Sequence, residues 1–327
     1  MIRKKIFQIV LMLIAGILFL FPTFQAVAQD DYPSRPIEVI VPWPPGSPID
    51  LGIRFFADKW AEFLGQPVIV INKPGASGAI GARYVAHAKP DGYTFLGTSD
   101  TLITTRLERE DAGYNLDSFS FVFDYGKLIA FFSVKSDSRW KTFNDFLKEA
   151  KGNPGKLKYA TFGPNSVTVM VAEMLTSVAG VKLTFVPFKS SPDSLTAVAG
   201  GNADIAVTFG LAGIGRSGLI RPLAISNQER VTSFPDVPTL KELGYPIKWI
   251  SQHIGLAAPI KVPEKTLSKF KDAHNKVRVK YEKEINEKLT KIDLYPVYVD
   301  GKAAMEELKE REKLYKEFYS QIVSKFK

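Results

Sequence analysis

Residues 36–65 read PIEVIVPWPPGSPIDLGIRFFADKWAEFLG, and two periods meet inside this stretch. The run PIEVIVPW is β-branched and apolar, which predicts a strand. Ile49, Ile53, Phe56, Trp60 and Phe63 then recur at spacings of three and four. That gives one apolar face of a helix, and Gly65 supplies its usual stop. Between strand and helix lies a proline-rich loop carrying Gly46, Ser47 and Asp50.

The same unit recurs along the chain. PVIVIN, YTFLGTS, LKYATFG, KLTFVPF, ADIAVTF and RPLAIS read as strands. AIGARYVAHA, TFNDFLKEAK behind Thr142, VTVMVAEMLTSVAG behind Ser166 and SPDSLTAVAG read as helices. Alternation of this kind predicts an α/β protein whose sheets are mainly parallel and flanked by helices. FPDVPTLKELGYPIKW has too many prolines for a long helix. Pro263 is placed to open one, and the tail from Lys302 to Lys327 reads helical.

A chain of 327 residues exceeds the usual single domain of about 100 to 200 residues. Two similar lobes are expected, residues 29–122 with 250–327 and residues 123–249. The extended stretches Phe121–Phe132 and Trp249–Ala258 would cross between them as a hinge of strands. Residues 1–28 read as a separate export signal: Arg3, Lys4 and Lys5, an apolar run from Ile6 to Phe21, and a small-x-small cut site ending at Ala28. A periplasmic protein, cleaved after Ala28, is the expectation.

Composition is that of a soluble globular chain, with 45% hydrophobic and 24% charged residues. The absence of cysteine excludes disulfides, thiol catalysis and cysteine metal sites. Loss of Arg3, Lys4 and Lys5 leaves 40 basic against 34 acidic residues, a net +6. This excess suits an anionic ligand. It gives no sign of nucleic-acid binding, because aromatic and basic residues do not interleave.

In a parallel α/β sheet, ligands bind where strands deliver their carboxyl ends to loops and helix N-termini. The loops here, PWPPGSPID, NKPGASGA, GTSD, TFGPNSV, PFKSSPDS and TFGLAG, are rich in glycine and hydroxyl or amide residues. Such loops can cradle a carboxylate with main-chain N–H groups and hydroxyls. Hydrogen bonds to a charged group contribute roughly 1.5 to 3 kcal/mol each, and micromolar affinity needs about 8 kcal/mol. Four or five donors shared by two lobes are enough, without a buried arginine. Asp50 has two readings, a first-turn carboxylate favoured by the helix dipole or an acceptor for a ligand ammonium or amide.

The segments NKPGASGAIGA, KPDGYTFL and PDVPTLKELG, in that order, resemble the substrate-binding receptors of tripartite tricarboxylate transporters, the Bug receptors. The likeness runs through YPSRPIEVIVPWPPGSPID, PFKSSPDSLTAVAGGNADIAV and GLAAPIKVP, and so covers nearly all of the chain after the signal. It implies a two-lobed periplasmic binding protein, type II-like, which closes on a small organic acid and hands it to membrane permease subunits. It implies Trp43, Gly46, Ser47 and Asp50, with Gly75, Ala76 and Ser77, as contacts from one lobe. Gly163, Asn165, Ser166 and Ser190 would face them, with Lys189 adding long-range attraction. Ser99, Phe162 and Phe209 border the same loops. Two departures stand out. Where the family's first loop usually carries glycine, serine and threonine, this chain has Pro48, without an N–H, and Ile49, without a hydroxyl. TFGPNSVTVMVAE likewise replaces a glycine-serine-rich loop and a histidine-leucine pair. With Trp43, Phe162 and Phe209 nearby, the pocket is expected to prefer an aromatic or otherwise apolar monocarboxylate to a citrate-like acid.

Other signals lead nowhere. GIGRSG, residues 213–218, spells a dinucleotide fingerprint, but RPLAIS begins too soon after it to leave room for a helix. His87, His253 and His274 lack metal-binding spacing, and no nucleophile elbow is present. No cofactor, no metal and no catalytic group is expected, and the chain reads as a monomer. An exported enzyme, or a sensory module serving a signalling partner, would use the same cleft.

Overall fold

The computed structural model describes residues 32–109, 111–163, 166–211, 215, 217–245, 247 and 251–326. The expected export signal, Asn165, half of the GIGRSG segment and Trp249 lie outside them. Residues 1–34 and 35–327 form two units, and every element below belongs to the second.

Strand β1 (Ile37–Val41) is flanked in parallel by β2 (Val68–Asn72) and β3 (Thr94–Ser99). Its near-continuous apolar run follows from that central position, since both faces are covered. Helix α1 (Pro48–Leu64) starts where Ser47 Oγ accepts the Asp50 N–H and ends at Gly65 in the left-handed region, φ 71°. The expected face is buried at Ile49, Ile53, Phe56 and Trp60, while Phe63 is half-buried. Trp60 stacks on Phe56 at 5.4 Å and meets Phe270 edge-on at 5.1 Å. Burying side chains of this size contributes about 1.5 to 3 kcal/mol each. Helices α2 (Ala79–Ala86) and α3 (Thr101–Glu108) complete this part of the chain.

The second half repeats the plan. β5 (Lys158–Phe162) lies between β6 (Thr184–Phe188) and β7 (Ile205–Phe209), all parallel. Helices α4 (Phe143–Gly152), α5 (Val167–Ala179) and α6 (Ser191–Ala199) each begin at a capping hydroxyl, from Thr142, Ser166 and Ser190. Strand β8 (Ile220–Ile225) is followed by turns through the proline-rich segment.

Strand β4 (Phe119–Lys135) joins the halves. From Phe119 to Ile129 it pairs antiparallel with β9 (Ser251–Pro259), and from Ala130 onward it pairs with β7 and β8. The hydrogen-bonded order is β2-β1-β3-β9-β4-β7-β5-β6. Each lobe therefore has a parallel core to which the crossing strands add antiparallel partners. The chain ends in α7 (Glu264–Lys280), α8 (Glu282–Lys291), β10 (Tyr295–Asp300), which pairs with β4, and α9 (Gly301–Phe326). Helix α9 packs on β4, α3 and α5, and so touches both halves. Its Leu308 and Tyr315 join a hydrophobic core that runs from Ile40 through Val169 and Val207. Among the described residues no helix is long and apolar enough to cross a membrane.

Helix α3 has no counterpart in the sequence reading, which ends the strand at GTSD. Its threonines and isoleucine are weak helix formers. Burial of Leu102 and Ile103 in the core decides the matter.

Candidate ligand-binding site

The carboxyl ends of the parallel strands from both lobes open onto one cavity of about 550 Å³. On the first lobe, the loop after β1 contributes Trp43 and Ser47, the start of α1 contributes Ile49, and the loop after β2 contributes Gly75, Ser77 and Gly78. Across from them stand Phe162 and Gly163 after β5, Ser166, Val167 and Thr168 at the start of α5, Ser191 at the start of α6, and Phe209 at the end of β7. Leu128 and Gln252, from the crossing strands β4 and β9, also line it.

Of the residues singled out in the sequence, Trp43, Ser47, Gly75, Ser77, Phe162, Gly163, Ser166 and Phe209 meet there. Gly46, Asp50, Ala76, Ser99, Lys189 and Ser190 do not line the cavity, and Asn165 lies outside the described residues. Asp50 is buried and turned into its own loop. Its carboxylate accepts from the Gly46 N–H at 2.9 Å, Asn72 Nδ2 at 2.8 Å and Arg54 Nε at 3.0 Å. Burial works against its charge, but the Gly46, Asn72 and Arg54 donors outweigh it and hold the carboxyl below the usual carboxylate range. Of its two readings, the structure places it in the first turn, as the group that shapes the loop. Ser99 is also buried. Its hydroxyl accepts from Gln252 Nε2 at 2.9 Å and lies 2.7 Å from Thr101 Oγ1, so it steadies two lining residues from behind. Ser190 is occupied as the cap of α6, where its Oγ accepts the Asp193 N–H at 3.2 Å and donates to Asp193 Oδ2 at 2.7 Å. Lys189 borders a different concavity with Pro187, Asp193 and Thr196.

The first-lobe wall is held in an unusual backbone. Gly75, Ala76, Ser77 and Gly78 all have positive φ, at 124°, 49°, 54° and 93°. For alanine and serine this conformation is strained and needs support from its surroundings. Thr105 Oγ1 supplies some of it by donating to the Ser77 carbonyl at 2.7 Å.

On the opposite wall, Thr161 Oγ1 lies 2.6 Å from both Thr168 Oγ1 and the Val207 carbonyl. A carbonyl can only accept, so Thr161 gives its single proton to Val207 and Thr168 donates to Thr161. Ser166 Oγ must then give its own proton to Thr168 Oγ1 at 2.8 Å or to the Gly163 carbonyl at 3.2 Å, so the chain of hydroxyls holds this wall in place. The first N–H groups of α5 and α6 have no intrahelical acceptor and favour an anion before them.

The sequence reading missed Thr101, Thr104, Thr105 and Glu108, all of which line the cavity from α3. Their spacing of three, one and three is a polar helical stripe, legible once a helix is drawn there. Glu108 is the only charged side chain lining the cavity among the described residues. Gln252 gave no signal of its own, and Ser191 was legible only as part of the PFKSSPDS loop. Among the described residues no group of histidines and carboxylates is placed to hold a metal ion.

Comparison with known proteins agrees with this geometry. Residues 53–322 match the model of the tripartite tricarboxylate transporter family receptor. A Cupriavidus necator protein, described as the UPF0065 protein in gbd 5'region, is 34% identical over 282 residues, 83% of each chain. Protein BugT of Bordetella pertussis is 32% identical over 71% of this chain and 73% of its own. The crystal structure of a TctC solute binding protein from Polaromonas matches with a TM-score of 0.78 at 28% identity, over 89% of this chain and 99% of that one. The expected two-lobed α/β fold of periplasmic binding proteins is thus the fold observed. The chain belongs to the tripartite tricarboxylate transporter receptor family.

Proposed function

We propose that this receptor captures a small organic monocarboxylate with an apolar or aromatic body and presents it to the permease subunits of a tripartite tricarboxylate transporter. The observation that carries the reading is the single cavity walled by both lobes, in which hydroxyls and helix N-termini face aromatic and proline side chains. Neutral donors suit one carboxylate. Glu108 disfavours a second or third negative charge, and no lysine or arginine among the described residues lines the cavity to offset it. Trp43, Phe162 and Phe209 offer flat apolar surface for the rest of the ligand.

The lobes divide within β4, near Ile129, where its pairing passes from β9 to β7 and β8. This lies a few residues beyond the boundary at 122/123 suggested by the sequence. Closure about β4 and β9 draws its energy from contacts made only when both walls touch the ligand. The protein works as a monomer without catalysis, in the periplasm, after cleavage behind Ala28.

A thermal-shift screen of organic acids tests this reading. A ligand that binds only the folded chain stabilises it by about 2.7 kcal/mol at a hundred times its Kd. Aromatic and apolar monocarboxylates are expected to raise the melting temperature by several degrees and citrate to leave it unchanged. A panel in which no carboxylate moves it, or only tricarboxylates do, overturns the reading. Turnover of a bound acid would argue for an enzyme instead.

A further inference from the structure

Glu108 is the residue of the cleft that a receptor for a simple anion does not need. It brings a negative charge to the lining, where no lysine or arginine among the described residues stands to balance it. It is the last residue of α3, the end at which the helix dipole disfavours a carboxylate. Among the described residues no hydrogen bond or ion pair holds it. Nearby cations are engaged elsewhere, since Arg106 of α3 and Lys316 of α9 both pair with Glu312. A plain carboxylate entering the cleft meets Glu108 as a like charge, which lowers affinity. Neither the helix nor a salt bridge accounts for a carboxylate at this place, and the ligand is the remaining partner.

The rest of the lining defines what that partner carries. The start of α5, on the second lobe, presents N–H groups without intrahelical acceptors and suits the acid end of a ligand. Glu108 belongs to the first lobe and so addresses a different part of the same molecule. Trp43, Phe162 and Phe209 line the cavity as well, and Phe162 is 48% exposed there despite its size and apolarity. Aromatic rings attract a cation, and they do so best when it is poorly hydrated, as a quaternary nitrogen is. Together with Pro42 and Pro44 they form a surface that cannot accept the N–H donors of a primary ammonium. A cation without donors avoids that cost.

We infer, building on the carboxylate reading above, that the cleft selects a carboxylate whose body carries a fixed positive charge, of the N-alkylpyridinium or quaternary-ammonium type. The acid group is held at the second lobe, while Glu108 and the aromatic side chains receive the cation. Each lobe then recognises one charge of a ligand that is neutral overall, and Glu108 is the residue that sets this specificity.

Two compounds of nearly the same shape isolate the charge: N-methylnicotinate, a zwitterion, and 3-methylbenzoate, a plain anion. In calorimetric titrations of the full chain, N-methylnicotinate is expected to bind at least about tenfold more tightly. Glu108→Gln is expected to weaken N-methylnicotinate, strengthen 3-methylbenzoate and bring the two within about twofold of each other. Tighter or equal binding of 3-methylbenzoate by the wild type overturns the inference and leaves the carboxylate reading standing. A preference for the zwitterion that survives Glu108→Gln overturns the role given to Glu108. Binding of neither compound also overturns the inference, and the wider acid panel then decides the carboxylate reading on its own.

Discussion

At Asp50 three donors from three parts of the chain meet one carboxylate: the Gly46 N–H, the Asn72 amide and the Arg54 guanidinium. Removing it as Asp50→Ala leaves those donors without a common acceptor, and a loss of about 1 to 3 kcal/mol is expected in urea unfolding at neutral pH. The pH dependence follows from the direction of its shift. A carboxyl held below its unfolded value stabilises the fold fully above that value, and the contribution fades as pH falls through the lower folded value. The gap between wild type and variant should therefore begin to close only below about pH 4, the unfolded value, and go on narrowing as the folded carboxyl takes its proton. A constant gap down to acid would show that the carboxylate charge is not what matters. The sequence left the role of Asp50 open because its partner Asn72 is remote in the chain and only the fold brings it near. Ser47, Gly163 and Ser166 were legible for the opposite reason. A loop that leaves a parallel strand for a helix has little choice about which edge of the sheet it occupies.

Among the elements, α3 and the left-handed loop at residues 75–78 form one wall between them, and Thr105 is the bond that joins them. Thr105→Val keeps the shape and deletes the donor. It should cost about 1 kcal/mol of stability, and it should weaken ligand binding measured by calorimetry because the strained loop loses a support. Unchanged affinity would mean the loop is held without α3. Strands and long amphipathic helices could be read from their periods, as the face of α1 shows. Helix α3 was hidden because its apolar and threonine residues fit a strand as well as a helix, and eight residues are too few for the period to declare itself. The hinge was half legible. The apolar stretches at β4 and β9 were recognisable as crossings, but their mutual pairing required the coordinates.

Across the whole molecule, Arg311 of α9 reaches the end of β3 and grips Asp100 with two bonds, at 2.9 and 2.7 Å, both side chains being almost wholly buried. Arg311→Met strands a buried carboxylate and is expected to cost about 3 to 5 kcal/mol, whereas Asp100→Ala with Arg311→Met removes both charges and should cost less than the single change. Urea unfolding of the three proteins checks the order, and a double variant less stable than Arg311→Met would contradict it. Neither residue announced the other in the sequence, which separates them by more than two hundred positions. The passage of β4 through both sheets has a practical bearing on recombining such receptors. A graft of one receptor's specificity onto another cannot be cut at a surface loop, because the last segment of this strand completes the partner half. The seam has to fall inside β4 itself, with a matching seam where β9 returns, or the hybrid inherits an edge that neither parent was built to cover.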